Sequence, residues 1–232
     1  MRTATISSKI IQKEYQSAEA YKSLRTNIQF CGGDKKVLVF TSCTPNEGKS
    51  SITMNLACSM AAAGKRVLLI DADLRKSVIW GKVTVKEETK GLSHYLSRQA
   101  PLKEVICGTN VKNMYLILPG PVPPNPAELL GNALFENMLD TLRDIYDYIF
   151  IDSPPLGSVI DSAIIAGKCD GSVLVVESGA ISRRFVLTVK RQLEKAGCPI
   201  LGVVLNKVNL QKQGYYGKYY GKYYGKYYGE AR

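Results

Sequence analysis

The feature that most restricts this chain is that its extended runs are apolar at every position, not at every second one. "KVLVFTS", "RVLLIDAD", "MYLILPG", "YIFIDSPP", "GSVLVVES" and "ILGVVLNKV" are rich in β-branched and aliphatic residues and bounded by turn residues. A strand with one wet face alternates. A continuous apolar run needs cover on both faces, which points to a parallel sheet between two helix layers. The intervening stretches supply those helices. "GKSSITMNLACSMAAAGK" stops at Gly64, a C-terminal glycine. "AELLGNALFENMLDTLRDIY" reads as one helix with Leu129, Leu130, Leu134, Phe135, Met138 and Leu142 on one side, and residues 158–168 and 182–197 as two more. Residues 91–113 read as short helices with loops, and "PVPPNP" as a rigid turn. The first 35 residues read as polar apart from a helical piece, "SAEAYKSLRTNIQF". The predicted class is α/β, a mostly parallel sheet with helices on both faces and right-handed crossovers. Ligands of such sheets bind beyond the carboxyl ends of the strands.

The chemistry-bearing residues lie at those ends. "CTPNEGKSS" follows the first of these strands and opens a helix, and Gly48-Lys49-Ser50 is the end of a P-loop. In such a loop, backbone N–H groups and the helix N-terminus cradle phosphates, the lysine reaches the terminal ones, and the serine hydroxyl binds Mg²⁺. Cys43 stands where the first glycine of the usual pattern would be. A bare Gly-Lys-Ser is a weak signal, since lysine beside serine at a helix start is often solvated surface; the order strand, loop, helix gives it meaning. Asp71 and Asp73 end the second apolar run and Asp152 ends a fourth. Strand alternation would turn Asp71 and Asp73 to the same side. Any one of them alone could be a helix cap, but three beside a P-loop form the usual carboxylate arrangement for Mg²⁺. The fold is therefore P-loop NTPase-like, and Pro45, Asn46, Glu47, Gly48, Lys49, Ser50 and Ser51 form the nucleotide-binding stretch.

Composition narrows the partners. The formal net charge of +11 fits an anionic ligand, but Lys212, Lys218, Lys222, Lys226 and Arg232 concentrate part of it near the end of the chain, and the body has no long basic run. No nucleic-acid partner is expected. The six cysteines form no C-x-x-C pair and sit mostly in apolar segments, as reduced thiols of a cytosolic protein do. No apolar stretch approaches the ~18 residues of a membrane span, so membrane attachment is expected through a partner.

Several stretches resemble the bacterial tyrosine kinases, relatives of the chromosome-partitioning ATPases. "DADLRK" is similar to their second acidic motif and "TPNEGKSS" to their loop, with Asn46 in place of a glycine. "PPNPAELL", "YDYIFIDSPPLGSVIDS" and "EAYKSLRTNIQF" also resemble the family, over roughly residues 14–210. The partitioning and division-site ATPases carry an extra lysine early in the loop, where this chain has Thr44. The resemblance implies ATP with Mg²⁺ as phosphoryl donor and a tyrosine hydroxyl as acceptor. It implies Asp71 as first candidate for the proton acceptor, with Lys49 stabilising the transferring group. Ser50, Asp73 and Asp152 would position Mg²⁺, directly or through water. Arg75 would assist a phosphate or structure the loop; Asn206 would contact adenine or act as a cap. Glu19, Lys22 and Arg25 match an oligomerisation motif in which Lys22 replaces an arginine, keeping the charge and losing the bidentate fork. The implied partners are a transmembrane adaptor that activates the kinase at the inner face of the membrane, further copies in a ring, and a cognate tyrosine phosphatase. The implied process is synthesis and export of capsular or extracellular polysaccharide.

The chain closes on "GYYGKYYGKYYGKYYGEAR". Tyr215, Tyr216, Tyr219, Tyr220, Tyr223, Tyr224, Tyr227 and Tyr228 repeat with a glycine every fourth residue and no apolar periodicity, the pattern of a flexible tail. About 20 such residues reach about 25 Å, far enough for the tail's own site or a neighbour's. On the family resemblance these are the phosphoacceptors. The predicted organisation is an N-terminal segment with the oligomerisation helix (1–35), a P-loop kinase domain (36–210) and an autophosphorylation tail (211–232). The rival readings are an ATP-switched positioning or scaffold ATPase whose tail is adhesive, or a tail whose tyrosines stack on nucleic-acid bases.

Overall fold

The computed structural model describes residues 3–7, 15–85 and 89–209. The strands are β1 (Thr3–Ile6), β2 (Val37–Ser42), β3 (Val67–Asp71), β4 (Val83–Val85), β5 (Ile106–Thr109), β6 (Met114–Ile117), β7 (Tyr148–Asp152), β8 (Gly171–Glu177) and β9 (Ile200–Asn206). They form one sheet in the order β4-β1-β5-β6-β3-β7-β2-β8-β9. From β6 to β9 every neighbouring pair is parallel. The helices are α1 (Tyr15–Phe30), α2 (Lys49–Ala62), α3 (Leu92–Leu96), α4 (Leu102–Val105), α5 (Pro126–Gly131), α6 (Ala133–Arg143), α7 (Asp161–Ala166) and α8 (Arg183–Lys195). None of these is long and apolar enough to cross a membrane, and no disulfide forms among the described residues.

The central strands are apolar throughout because each feeds two cores. In β2, Val37 and Val39 pack with Phe135, Met138 and Leu142 of α6 and Val189 and Leu193 of α8. Leu38 and Phe40 face the other way, onto Met54, Leu56 and Met60 of α2 and Ile28 of α1. The same division runs through β3 (Leu68 and Ile70 against Val67 and Leu69) and β7 (Ile149 and Ile151 against Tyr148 and Phe150). Burying a side chain of this size is worth about 1.5–3 kcal/mol, so one such strand stabilises both layers and fixes which helix lies on which face.

Three elements differ from the sequence reading. The long helix is two: Asn132 is extended (φ −73°, ψ 160°), and its side chain accepts a hydrogen bond from the N–H of Phe135 at 3.0 Å, capping α6. Asparagine after glycine competes with the helix backbone and restarts it at a new angle. The polar N-terminal stretch contains β1, and residues 91–113 contain β5. With β4 they build a wing that is not all parallel, since β1 runs antiparallel to β4 and β5 antiparallel to β6. These strands are only three or four residues long, too short for a periodic signal.

At the amino edge of the sheet, the Asp170 carboxylate accepts from the N–H groups of Lys36 (2.9 Å) and Val37 (2.7 Å), and Arg143 Nη1 lies 2.7 Å from its Oδ2. Nearby, Asp147 accepts from the N–H of Arg66 at 2.7 Å. These acids satisfy backbone donors at the starts of β2 and β3.

Candidate nucleotide site

The site is built at the opposite edge. The loop from β2 to α2 turns through two left-handed residues, Asn46 (φ 68°) and Gly48 (φ 89°). Asparagine is among the few residues with a side chain that adopt this conformation readily. At Gly48 a Cβ would also lie 2.2 Å from Asn206 Nδ2, so glycine is required there twice over. Glu47 is buried, and its carboxylate faces inward, accepting from the N–H of Thr44 (2.5 Å) and of Glu177 at the end of β8 (2.8 Å). Asn206, at the end of β9, donates to the Glu47 carbonyl at 2.8 Å. Lys207 donates to the Asn46 carbonyl at 2.8 Å. The loop is thus held in shape from outside by the ends of two neighbouring strands.

Lys49 starts α2 and is buried; its Nζ lies 2.6 Å from Asp152 Oδ1 and donates to Ser50 Oγ at 3.1 Å. Asp71 and Asp152 are direct cross-strand partners at the ends of β3 and β7, and both are fully buried. Burial pushes the Asp71 carboxyl up to about 8, and the negative charge of Asp152 adds to the rise; the Ser77 hydroxyl and the Lys49 charge oppose it. Ser77 Oγ donates to Asp71 Oδ2 at 2.5 Å. Asp73 does not continue the strand. Its own N–H donates to Asp71 Oδ1 at 3.2 Å, and its Oδ1 accepts from the N–H of Lys76 at 2.9 Å. Its place comes from a turn rather than from strand alternation.

Arg75 forms a bidentate pair with buried Asp161 at the start of α7 (Nε–Oδ2 2.8 Å, Nη2–Oδ1 3.0 Å). It braces the loop after β3 against the loop after β7. Ser51 Oγ accepts from Lys82 Nζ at 2.6 Å. Away from the site, Glu19 and Lys22 form a surface pair on α1 at 2.6 Å. Arg25 turns inward, donating to the Ser59 carbonyl of α2 at 3.0 Å. The tyrosines from Tyr215 to Tyr228 lie outside the described residues. Sequence reading missed Ser77, Lys82 and Asp161. Asp161 lies inside the "GSVIDS" stretch, where an acid opening a helix was the available signal; Ser77 and Lys82 belong to a loop without periodicity.

Whether Mg²⁺ fits can be judged from the donors. Asp152 Oδ2 is buried without a hydrogen-bond partner. A buried carboxylate oxygen without a donor is costly and marks a place for a cation. The nearby Ser50 hydroxyl and the aspartate oxygens are hard ligands of the type Mg²⁺ takes. Among the described residues no cluster of three or more acids, cysteines or histidines forms a ready-made cage.

Comparison with known proteins gives consistent results. A family model described as an AAA domain matches residues 35–184. The chain is 46% identical over 218 residues to the tyrosine-protein kinase CpsD of Streptococcus agalactiae, covering 93% of this chain and 95% of the relative. Among solved structures, the kinase domain of the Escherichia coli tyrosine kinase ETK superposes with a TM-score of 0.78 at 29% identity, over 90% of this chain and 91% of that one. The septum site-determining protein MinD of Pyrococcus horikoshii, complexed with Mg-ADP, superposes with a TM-score of 0.62 at 26% identity, over 73% of this chain and 69% of that one.

Proposed function

The chain belongs to the bacterial tyrosine kinases and is a protein-tyrosine kinase, and from that premise we propose that it transfers the γ-phosphoryl group of ATP to the tyrosines of its own C-terminal segment. The observation that carries this reading is the pair of buried carboxylates, Asp71 and Asp152, at adjacent strand ends with the ammonium of Lys49 against one of them.

The acceptor is a phenol with an ordinary pKa of about 10, so it reacts only if its proton has somewhere to go. Asp71, raised toward neutrality by its burial, is a better proton acceptor than an exposed aspartate and takes that role when ionised. The tyrosine oxygen forms a bond to the γ-phosphorus. The bond to the bridging oxygen breaks, and ADP leaves with the electron pair. Lys49 moves from Asp152 onto the phosphate oxygens and offsets their negative charge. Asp152, Asp73 and the Ser50 hydroxyl would hold Mg²⁺, which when bound neutralises charge on the transferring group. Pro45, Asn46 and Ser51 would line the loop around the phosphates, while Glu47, Arg75 and Asn206 keep the loops in place; Asn206 would also contact adenine.

On the same reading the acceptors are Tyr215, Tyr216, Tyr219, Tyr220, Tyr223, Tyr224, Tyr227 and Tyr228, modified in trans between copies in a ring. Glu19 and Lys22, paired with each other on the surface of α1, and Arg25 would meet a neighbouring copy. An adaptor in the membrane activates the kinase, a phosphatase reverses it, and the output is capsular or extracellular polysaccharide. Full modification would add about −12 to −16 of charge to a basic segment and drive it out of a site that already holds an anion.

The test is to incubate the full chain with Mg-ATP, with and without an adaptor's cytoplasmic segment, and map phosphate by mass spectrometry. Phosphate is expected on the tyrosines from Tyr215 to Tyr228, with Lys49→Met about 10³-fold slower or worse. Modification of a Lys49→Met chain by added wild type establishes transfer in trans. ATP hydrolysis with no tyrosine modified in any condition would overturn the kinase mechanism and favour an ATP-switched scaffold.

A further inference from the structure

Lys82 is not part of any motif, yet the fold takes unusual care over where it sits. Ser77 Oγ, already bonded to Asp71, accepts from the N–H of Trp80 at 2.9 Å. Ile79, fully buried in the core beneath α2, pins the same turn. The turn Trp80–Lys82 then ends with the Lys82 ammonium 2.6 Å from Ser51 Oγ, and the Lys82 carbonyl accepts from the N–H of Ser7 at 3.3 Å. A short bracket thus runs from the proposed proton acceptor to the third residue of the P-loop helix.

The ammonium has been brought to an unfavourable place. A helix N-terminus carries partial positive charge and repels cations, and Lys49 stands two residues away from Ser51. Burial and the Lys49 charge both disfavour the charged form of Lys82, and Asp152 only partly compensates. Asp152 Oδ1, however, is already engaged by Lys49. Among the described residues Lys82 has no carboxylate within ion-pair distance, only the neutral hydroxyl of Ser51. Of the two lysines at this helix start, the one with a carboxylate contact is Lys49; Lys82, on a hydroxyl, is the one left to meet an anion.

We propose that Lys82 is a second cation of the phosphate site, held on Ser51 until a nucleotide arrives and then contacting its phosphate chain. This rests on the loop being the nucleotide site. It assigns to the segment after β3 a part in binding the donor as well as in carrying the acids, so that Asp71 and the second cation are set by one turn. A charge-assisted contact of this kind is worth about a factor of ten or more in affinity.

The test uses the full chain and ADP, titrated calorimetrically at several salt concentrations, with Mg²⁺ and again with EDTA. Lys82→Gln keeps a side chain able to donate to Ser51 and removes only the charge; Lys82→Arg keeps the charge. Lys82→Gln is expected to bind ADP about tenfold more weakly, with a shallower dependence of log Kd on log salt and a larger deficit in EDTA. Lys82→Arg should restore both to within about threefold of wild type. Thermal unfolding of the variants separates lost binding from lost folding. Affinity within twofold of wild type and an unchanged salt slope for a folded Lys82→Gln, or the same loss in Lys82→Arg, would overturn the proposal. If wild type itself fails to bind ADP, the nucleotide site falls instead, and the two failures are distinguishable.

Discussion

Asp170 at the amino edge of the sheet and Asp152 at the carboxyl edge have opposite surroundings. Asp170 takes two backbone N–H groups and the guanidinium of Arg143, so every partner a carboxylate needs comes from the protein itself. Asp152 is more deeply buried; Lys49 and, at 3.5 Å, the Thr53 hydroxyl meet one of its oxygens and nothing meets the other. Its neighbour Asp71 is held where its charge is opposed by burial and by Asp152. An acid whose needs are met inside the chain holds the fold together. An acid buried without them destabilises the chain, and its retention points to a ligand.

The largest stability effect should therefore come from the edge without chemistry. Asp170→Ala removes the acceptor for Lys36 and Val37 and leaves Arg143 without its pair. The expected cost is about 3 kcal/mol, the lower end for breaking a buried pair because the side chain is partly exposed. Urea unfolding measures it, and the kinase rate per folded molecule should be unchanged. A loss below about 1 kcal/mol would break the comparison.

At the other edge the sign reverses. Asp71→Asn keeps the shape and can still accept from the N–H of Asp73 while removing the charge. Transfer to tyrosine should fall by about 10²–10⁴-fold, while the nucleotide-free, Mg²⁺-free protein should be more stable than wild type by about 1 kcal/mol at pH 7. The pH dependence follows from the direction of the shift. Asp71 binds its proton more tightly folded, near 8, than its ordinary value of 3.8. Wild type therefore loses stability as pH rises from about 4 to about 8, and the advantage of the asparagine variant widens across that window. Equal unfolding curves for the two proteins at pH 5 and pH 8 would show that Asp71 is not buried at this cost.

The contrast also explains what could be read from the sequence. The central strands were legible because each of their residues enters one of two cores, leaving an unbroken apolar run. Lys49, Asp71 and Asp152 were legible because a parallel sheet puts its ligands after its strands, and their positions follow from counting to the strand ends. Asp73 was set beside them by strand alternation, whereas a turn after β3 places it. The β1, β4 and β5 wing was not legible, because three or four residues cannot display a period and their pairing is decided by distant segments such as Asn110, which accepts from the N–H of Ile6 at 2.8 Å. Within its own chain Arg25 donates to the Ser59 carbonyl. Its charge was visible in the sequence, but the packing of α1 on α2 that turns it inward was not.

The smallest predicted effect separates contact from conformation. At the amino edge stability resides in specific bonds, whereas part of the carboxyl edge depends on backbone geometry, and Asn46 isolates that contribution. Its carbonyl is held by Lys207, a main-chain contact that no substitution of the side chain removes. Its left-handed φ of 68° costs most side chains about 1–2 kcal/mol, costs asparagine less and costs glycine nothing. Asn46→Gly gains in the folded loop what it loses through a more flexible unfolded chain, so it should stay within about 0.5 kcal/mol of wild type. Asn46→Ala has neither advantage and should lose about 1 kcal/mol. If urea titrations place the alanine and glycine variants together, the side chain of Asn46 matters by its contacts, and the carboxyl edge is built more like the amino edge than these angles imply.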